Sequence, residues 1–292
     1  MSWIKESNLG WFHSLCLRIL KCGRIPKHIA FIMDGNRRFA KKNNVEKLEG
    51  HSKGFDKLSE TLQWCHDIGI TEVTVYAFSI ENFKRTKKEV DDLMRLTKEK
   101  FQRLLEESNK LMEYGLRIRV IGNRDYLPDD IVKIIAEAEY KTKDNNKTLL
   151  NVAFSYTSQD EITTAMNLTL QGLNSGEIEE SDVNLNLLSS CLHTEDSPYP
   201  ELIIRTSGET RLSDFLLWQG SCSYLHFTGV LWPELTLWDF IWALFKYQCV
   251  AKELDAARNN LQSLEPLSAK GLAYIDRIKA RRFELLKQTV AS

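Results

Sequence analysis

The sequence has little that would staple, anchor or charge it as a whole. Its six cysteines, Cys16, Cys22, Cys65, Cys191, Cys222 and Cys249, include no C-x-x-C pair. That excludes the usual zinc and dithiol redox motifs, and the scatter reads as buried structural thiols of a reducing compartment. No stretch is long and apolar enough to span a bilayer. The first residues lack both the basic start and the small-residue cleavage site of a signal peptide. Lys and Arg total 39 against 40 Asp and Glu, so no global basic field exists to recruit nucleic acid, and any anionic ligand must be held by a local cluster. Neither a G-x-x-x-x-G-K-[ST] loop nor a G-x-G-x-x-G turn after a strand occurs, which disfavours nucleotide hydrolysis of that type and a dinucleotide site. The acidic pairs Asp91-Asp92 and Asp129-Asp130 do not extend to D-D-x-x-D and read as charge preferences of helix N-termini. Two N-x-T sequons, at Asn146 and Asn167, are expected to be unmodified in a cytosol-facing chain.

What is present is ordinary for a soluble globular protein: 43% hydrophobic and 27% charged residues over a length of 292. That length supports one large α/β domain with helical appendages and a core that needs no disulfides. Near the start, Trp3, Ile4, Leu9, Trp11, Phe12, Leu15, Leu17, Ile19 and Leu20 are interrupted by Lys5, Glu6, His13, Arg18 and Lys21. This is an amphipathic helix. Its apolar face either packs on the domain or lies in a membrane interface or beside an apolar tunnel mouth; the pattern leaves both open.

Further on, strand-like runs alternate with helical periodicity. Strands are expected at 28–33, 72–79, 116–122, 148–156, 201–205 and 224–228. Helices are expected at 52–68, as one long element over 87–114, from Pro128 toward Asp144, at 161–170, and from Trp238 onward with a break near Pro266. The polar stretch 174–186 reads as a connection. Alternation of this kind implies right-handed crossovers and a mostly parallel sheet of about six strands flanked by helices. The expected organisation is an N-terminal amphipathic helix over 1–25, a catalytic domain over 26–250 and a helical C-terminal tail over 251–292.

Ligands of parallel sheets bind outside the carboxyl ends of the strands, so the residues that follow each strand matter most. After the first come Asp34-Gly35-Asn36-Arg37-Arg38. After the second come Ser79-Ile80-Glu81-Asn82, then Arg85. After 201–205 come Thr206-Ser207-Gly208-Glu209, then Arg211 and Ser213. Arginine offers a planar fork of donors to phosphate oxygens, glycine permits close backbone approach, and a helix starting near Arg37 would aim free N–H groups at the same anion. Asp34 beside two arginines suits Mg²⁺, which takes one or two carboxylates together with phosphate oxygens and water. Singly, each residue has a plain alternative: Asp34 as a helix cap, Gly35 as a turn former, Arg85 and Arg211 as surface charges. Together, three strand ends with the same chemistry are poorly explained that way.

The segments H-I-A-F-I-M-D-G-N-R-R, G-H-S-K-G, T-V-Y-A-F-S-I-E-N-F-K-R and L-I-I-R-T-S-G-E-T-R-L-S-D-F-L-L-W-Q, followed by L-W-P-E, resemble the cis-prenyltransferases, and within them the eukaryotic branch. The resemblance spans roughly 26–245. It implies the fold of that family and Mg²⁺-dependent, sequential 1′-4 condensation of isopentenyl diphosphate onto an allylic diphosphate such as farnesyl diphosphate. The product implied is a long polyprenyl diphosphate serving dolichol synthesis and protein glycosylation. By position, the resemblance makes Asp34 the Mg²⁺ ligand that assists departure of the allylic diphosphate. Gly35, Arg37, Arg38 and His51 hold that diphosphate, and Arg205, Arg211 and Ser213 hold the diphosphate of isopentenyl diphosphate. Arg85 lies between the two, with Asn82 positioning the reacting groups or the departing proton. Asn36, Ser79 and Glu81 complete the substrate-binding set. The amphipathic helices over 55–68 and 90–112 are candidate walls of a product channel, or ordinary core. The absence of D-D-x-x-D separates the chain from the all-helical trans-prenyl synthases.

The sequence also departs from that pattern. Homodimeric members carry a C-terminal R-x-G that reaches a partner's site; the nearest candidate here is Arg282-Phe283-Glu284. Where bacterial members have a glutamate this chain has Tyr224. The resemblance then implies a site completed by another chain, a membrane-anchored homologue of the Nogo-B-receptor type. The expected assembly is a hetero-oligomer, peripheral on the cytosolic face of the endoplasmic reticulum membrane. Two other readings are a non-catalytic accessory homologue, against which the full arginine set argues, and an unrelated phosphoester-binding enzyme such as a phosphatase, for which no nucleophile or two-metal motif is visible.

Overall fold

The computed structural model describes residue 3 and residues 10–195, 197–262 and 266–292, the side chains of 260–262 excepted. Six strands, β1 (His28–Ile32), β2 (Glu72–Ser79), β3 (Leu116–Ile121), β4 (Thr148–Tyr156), β5 (Leu202–Arg205) and β6 (Tyr224–Phe227), form one sheet in the order β3-β4-β2-β1-β5-β6. Every neighbouring pair is parallel. The helices are α1 (Trp11–Lys21), α2 (Asn36–Lys42), α3 (Lys47–Ile68), α4 (Lys87–Glu106), α5 (Ser108–Tyr114), α6 (Asp129–Thr142), α7 (Ser158–Asn174), α8 (Leu185–Cys191), α9 (Leu237–Gln262) and α10 (Ala269–Ala291).

The continuous apolar run of β1 has a direct cause. Ile29 and Phe31 join one core cluster with residues of α3, α4, α6 and α9, whereas Ala30 and Ile32 join another with Ile203, Phe215 and Leu216. A strand covered on both faces cannot alternate apolar with polar residues. A third cluster joins α7, α8 and α10.

The expected strands are all present, and the break near Pro266 separates α9 from α10. Three expectations are corrected. The long helix over 87–114 divides at Glu107, where Ser108 and Asn109 follow; their side chains compete for backbone hydrogen bonds and weaken a helix interior. The stretch 174–186 is not merely a connection: it contains a 3-10 turn, Glu180–Asp182, and the start of α8, which is capped by the Asn184 side chain. Cys65 and Cys191 are buried, but Cys22 and Cys249 are exposed. Position 250 lies inside α9. Helix α1 buries Leu17 and Leu20 while Trp11 is 80% exposed, so one face packs on the domain and the other faces outward. No helix among the described residues is long and apolar enough to cross a membrane.

The G-H-S-K-G segment acquires a structural role in α3. A Cβ on Gly50 would sit 2.4 Å from the Asn36 carbonyl oxygen, and one on Gly54 would sit 2.2 Å from Asn36 Oδ1. The bare face created by these glycines, one turn apart, admits the start of α2, and Trp232 Nε1 donates to the Gly54 carbonyl at 2.7 Å. Gly50→Ala is therefore expected to lower stability: overpacking costs about 1–3 kcal/mol, against about 1 kcal/mol gained from helix propensity. Urea denaturation checks this, and an unchanged or raised midpoint contradicts the packing argument.

Candidate active site

In the strand order, β1 continues toward β2 on one side and β5 toward β6 on the other. Such a reversal opens a crevice at the carboxyl ends of the two strands. Asp34 stands just beyond β1 and Arg205 ends β5. Across the crevice, Arg205 Nη2 donates to Asp34 Oδ2 at 3.0 Å, while Nη1 donates to Ser213 Oγ at 2.8 Å and to the Arg211 carbonyl. Asp34 is held further by its backbone. Its N–H donates to Thr206 Oγ1 at 3.1 Å, and its carbonyl accepts from the Thr206 hydroxyl at 2.7 Å and from the Trp232 N–H at 3.0 Å. The Gly35 N–H donates to Asp34 Oδ1 at 2.7 Å. Gly35 adopts φ 109°, and a Cβ there would meet Ser207 Oγ and Leu231 Cδ2, each at 3.0 Å. Only glycine fits this N-cap of α2.

Arg38 donates from Nη1 to the Ser207 carbonyl at 2.7 Å and from Nη2 to Glu209 Oε1 at 3.3 Å, with Asp34 Oδ2 at 3.5 Å. Glu209 also pairs with Arg211. Non-glycine residues Ser207 (φ 83°), Ser213 (φ 51°) and Asp214 (φ 59°) occupy left-handed backbone in this loop. Such conformations cost of order 1–3 kcal/mol each and persist where surroundings enforce them.

Beyond β2 the chain forms a 3-10 turn, Ile80–Lys84. Ser79 Oγ accepts from the Glu81 N–H, and Asn82 Oδ1 accepts from the Ser79 N–H, both at 3.1 Å. This reciprocal cap fixes Asn82 and delivers Arg85. Glu89, in the first turn of α4, gathers Arg85 at 3.1 Å, Lys47 at 3.1 Å and Arg37 at 3.7 Å. Burial pushes the Glu89 carboxyl up, but the hydrogen bond from Lys47 and the charges of Arg85, Lys47 and Arg37 outweigh it and bring it below the usual range. His51, on α3 beside this group, is pushed down to about 4 by burial and then by the charge of Arg85, so it is neutral near pH 7.

All the sequence-identified residues converge. Asp34, Gly35, Asn36, Arg37, Arg38, His51, Ser79, Glu81, Asn82, Arg85, Arg205, Arg211 and Ser213 line one cavity of about 1250 Å³. Its mouth is cationic. Its interior is walled by Phe55 and Leu58 of α3, Leu93, Leu96 and Phe101 of α4, Val75 and Phe78 of β2, Val152 and Phe154 of β4, and Trp3. Trp3 stands edge-on to Phe55 at 4.6 Å and donates from Nε1 to the Lys100 carbonyl at 2.8 Å. Buried His51 Nε2, Arg205 Nε and Asn36 Oδ1 have no hydrogen-bond partner. Orphaned buried polar atoms call for a polar ligand, and the apolar body calls for hydrocarbon.

No group of three or more His, Cys, Asp or Glu side chains that could hold a metal exists among the described residues. The described residues therefore offer Mg²⁺ no all-protein cage. The Asp34 carboxylate, 33% exposed and flanked by Arg38 and Arg205, fits the shared mode, in which one carboxylate acts together with phosphate oxygens and water.

Sequence reasoning missed Glu89 and Tyr76, which also lies at the cavity, and placed Thr206 and Glu209 at the third strand end without giving them a role. The spacing of Arg85 and Glu89, four apart across a helix start, was a usable signal; Tyr76 gave none. Arg282 donates to the Cys191 and Leu192 carbonyls at 2.7 and 3.1 Å and pairs with Glu195 at 3.3 Å. Its guanidinium is thus engaged within its own chain.

A family model described as "Putative undecaprenyl diphosphate synthase" matches residues 32–255. The human dehydrodolichyl diphosphate synthase complex subunit DHDDS is 54% identical over 259 residues, 89% of this chain and 78% of that protein. A tritrans,polycis-undecaprenyl-diphosphate synthase (geranylgeranyl-diphosphate specific) from Pyrococcus horikoshii is 43% identical over 229 residues, 78% and 86% of the two chains. Among solved structures, lavandulyl diphosphate synthase from Lavandula x intermedia, in complex with dimethylallyl diphosphate, superposes with a TM-score of 0.73 at 30% identity, covering 77% of this chain and 95% of that one.

The buried neutral His51 has a thermodynamic consequence. The unfolded chain takes up its proton near pH 6.5, whereas the folded chain does so only near pH 4. Its contribution to stability is complete above about pH 6.5 and is lost as pH falls toward about 4. His51→Gln should therefore flatten the acid limb of stability in that window, as read by urea midpoints from pH 4 to 8; an unchanged slope refutes the assignment.

Proposed function

Since this chain belongs to the cis-prenyltransferase family, we propose that it catalyses sequential condensation of isopentenyl diphosphate onto farnesyl diphosphate, yielding a long polycis-polyprenyl diphosphate of the dehydrodolichyl type for dolichol synthesis and protein glycosylation. One observation carries the reading: a ring of cations at the mouth of an apolar cavity of about 1250 Å³. The diphosphates belong at the mouth and the growing hydrocarbon inside. The similarity to a dehydrodolichyl diphosphate synthase complex subunit supports the choice of product.

In each round the allylic C–O bond breaks toward a carbocation and a diphosphate anion. The double bond of isopentenyl diphosphate supplies the electron pair for the new carbon–carbon bond, and a proton leaves the condensed unit. Stabilising the departing anion is the central task. Preorganised donors in a water-poor cleft do this well, and removing one typically costs about 10²–10³ in rate. We assign Gly35, Asn36, Arg37, Arg38 and His51 to the allylic diphosphate, and Arg205, Arg211 and Ser213 to that of isopentenyl diphosphate. Arg85 lies between the two. Asn82, fixed by its cap with Ser79, positions the reacting groups, and Glu81 and Ser79 line the same edge. Asp34 would hold Mg²⁺, which supplies charge neutralisation to the diphosphate when bound. Within the division proposed from sequence, 26–250 carries the chemistry, 1–25 precedes it and 251–292 forms the tail.

The reading includes a second subunit, a membrane-anchored homologue of the Nogo-B-receptor type, and a peripheral position on the cytosolic face of the endoplasmic reticulum. Support comes from the internal engagement of Arg282, from Tyr224 at the glutamate position, and from the naming of the human relative as a complex subunit. The edge strand β6 and the outward Trp242 and Phe245 of α9, stacked on each other, supply an exposed apolar surface.

The test is incorporation of labelled isopentenyl diphosphate into butanol-extractable product, with farnesyl diphosphate and Mg²⁺, with and without the partner. Long product should require the partner and fall about 10²–10³-fold in Asp34→Ala. Partner-dependent product that survives loss of Asp34 would make this chain the accessory. Leu58→Trp, which fills the cavity wall, should shorten the products seen on thin-layer chromatography; an unchanged length distribution would place the hydrocarbon elsewhere.

A further inference from the structure

We propose that Tyr76 is a positioning residue for the isopentenyl diphosphate end of the site, acting by holding the Ser213–Asp214 turn. The proposal rests on the functional reading above, which gives Ser213 to that substrate. It begins at an irregularity of the sheet. The β2–β4 pairing slips register between Tyr76 and Phe78, and such bulges re-aim the side chains beside them. The Tyr76 ring lies stacked on Phe215, with centroids 4.6 Å apart and planes 14° apart, and the residue lines the cavity.

Its hydroxyl stands between two carbonyls, that of Tyr156 at 3.1 Å and that of Ser213 at 3.2 Å. The one phenolic proton, shared between these carbonyls, links the end of β4 to the loop that follows β5, and the Ser79 side chain also interacts with the hydroxyl. Burial pushes this phenol up to about 12, so it remains a donor throughout the working range. The far anchor is the informative one. Ser213 and Asp214 are consecutive non-glycine residues at φ 51° and 59°, a conformation that surroundings must enforce. Its result is that Ser213 Oγ accepts from Arg205 Nη1 at 2.8 Å, while the other end of the same guanidinium meets Asp34. The chain of contacts therefore runs from Tyr76 through the Ser213 backbone to the hydroxyl and guanidinium that face the substrate. The stack on Phe215 holds the ring, and the hydroxyl holds the turn.

Tyr76→Phe removes one oxygen and keeps the stacked ring. Assayed in the complete enzyme, with the partner present, it should raise KM for isopentenyl diphosphate about 5–10-fold, while kcat and KM for farnesyl diphosphate stay within about twofold. Thermal melting should track the wild type. Ser213→Ala should raise the same KM, and the double variant should be no worse than Ser213→Ala alone, because the two act in one line. A Tyr76→Phe enzyme with unchanged KM for isopentenyl diphosphate overturns the proposal. So does equal damage to both substrates, or a full additional effect in the Ser213→Ala background. A wild-type complex that incorporates no isopentenyl diphosphate removes the functional reading itself, an outcome distinct from an active wild type whose Tyr76→Phe variant behaves identically.

Discussion

The contact between Arg205 and Asp34 constrains everything around it. It joins the ends of two strands whose chains then depart in opposite directions. Arg205 is only 3% exposed, so its charge is costly unless the guanidinium is engaged. Asp34 engages one end, and Ser213 with the Arg211 carbonyl engages the other. The loop over 206–214 must bend back to supply these acceptors, and the left-handed backbone of Ser207, Ser213 and Asp214 is the geometric consequence. On the opposite side, Asp34 can meet Arg205 only if the chain turns sharply away after it. Gly35 makes that turn, α2 starts at once, and the glycines of α3 make room for α2. A local ion pair thus dictates residue choices as distant as Gly54.

The second principle is that cations at this site are not left alone. Glu89 gathers Arg37, Lys47 and Arg85; Glu209 gathers Arg38 and Arg211. Clustered positive charges repel one another, most strongly at the largely buried Arg85. Interleaved carboxylates relieve that repulsion and hold the guanidinium planes in fixed orientations before any anion arrives. Donors aimed in advance need no reorganisation at the moment charge develops. The balance also explains how a chain with net charge −1 hosts such a basic mouth: the field is local, and its counter-charges stand directly behind it.

Much of this was legible in the sequence, for physical reasons. Buried parallel strands are written as unbroken apolar runs, and His28–Ile32 is one. Ligand chemistry collects where strands end, so reading the residues after β1, β2 and β5 assembled the cavity mouth without coordinates. Other features left weaker marks. Helix α8 hides in a polar stretch because its main signals are a capping asparagine and a short apolar face. The break at Glu107 is invisible to periodicity, since α4 and α5 keep compatible apolar spacing on either side. Tyr76 reads as one more aromatic in a β-rich run; only the bulge and the stack on Phe215 turn its hydroxyl toward Ser213. Whether α3 and α4 wall a channel or merely pack was undecidable from spacing, because both arrangements require the same apolar stripe.

The shape of the cavity bears on that choice. Phe55 and Leu58 of α3 and Leu93, Leu96 and Phe101 of α4 line an open volume, and Phe55, Leu58, Leu93 and Phe101 also pack in the core. Ordinary core packing leaves few voids larger than a water molecule, and an unfilled apolar space of this size sacrifices contacts that would otherwise stabilise the fold. A chain that retains such a space against that cost has a use for it that stability does not supply. Asp34 and the arginines stand at the mouth, and the walls beyond are mainly apolar, with Lys100 set over the Phe55 ring among them. An amphiphile with an anionic head and a hydrocarbon body satisfies both halves at once. If the head is fixed at the mouth and the body extends between α3 and α4, each added unit moves hydrocarbon out of water, so burial of the product favours continued elongation until the walls end.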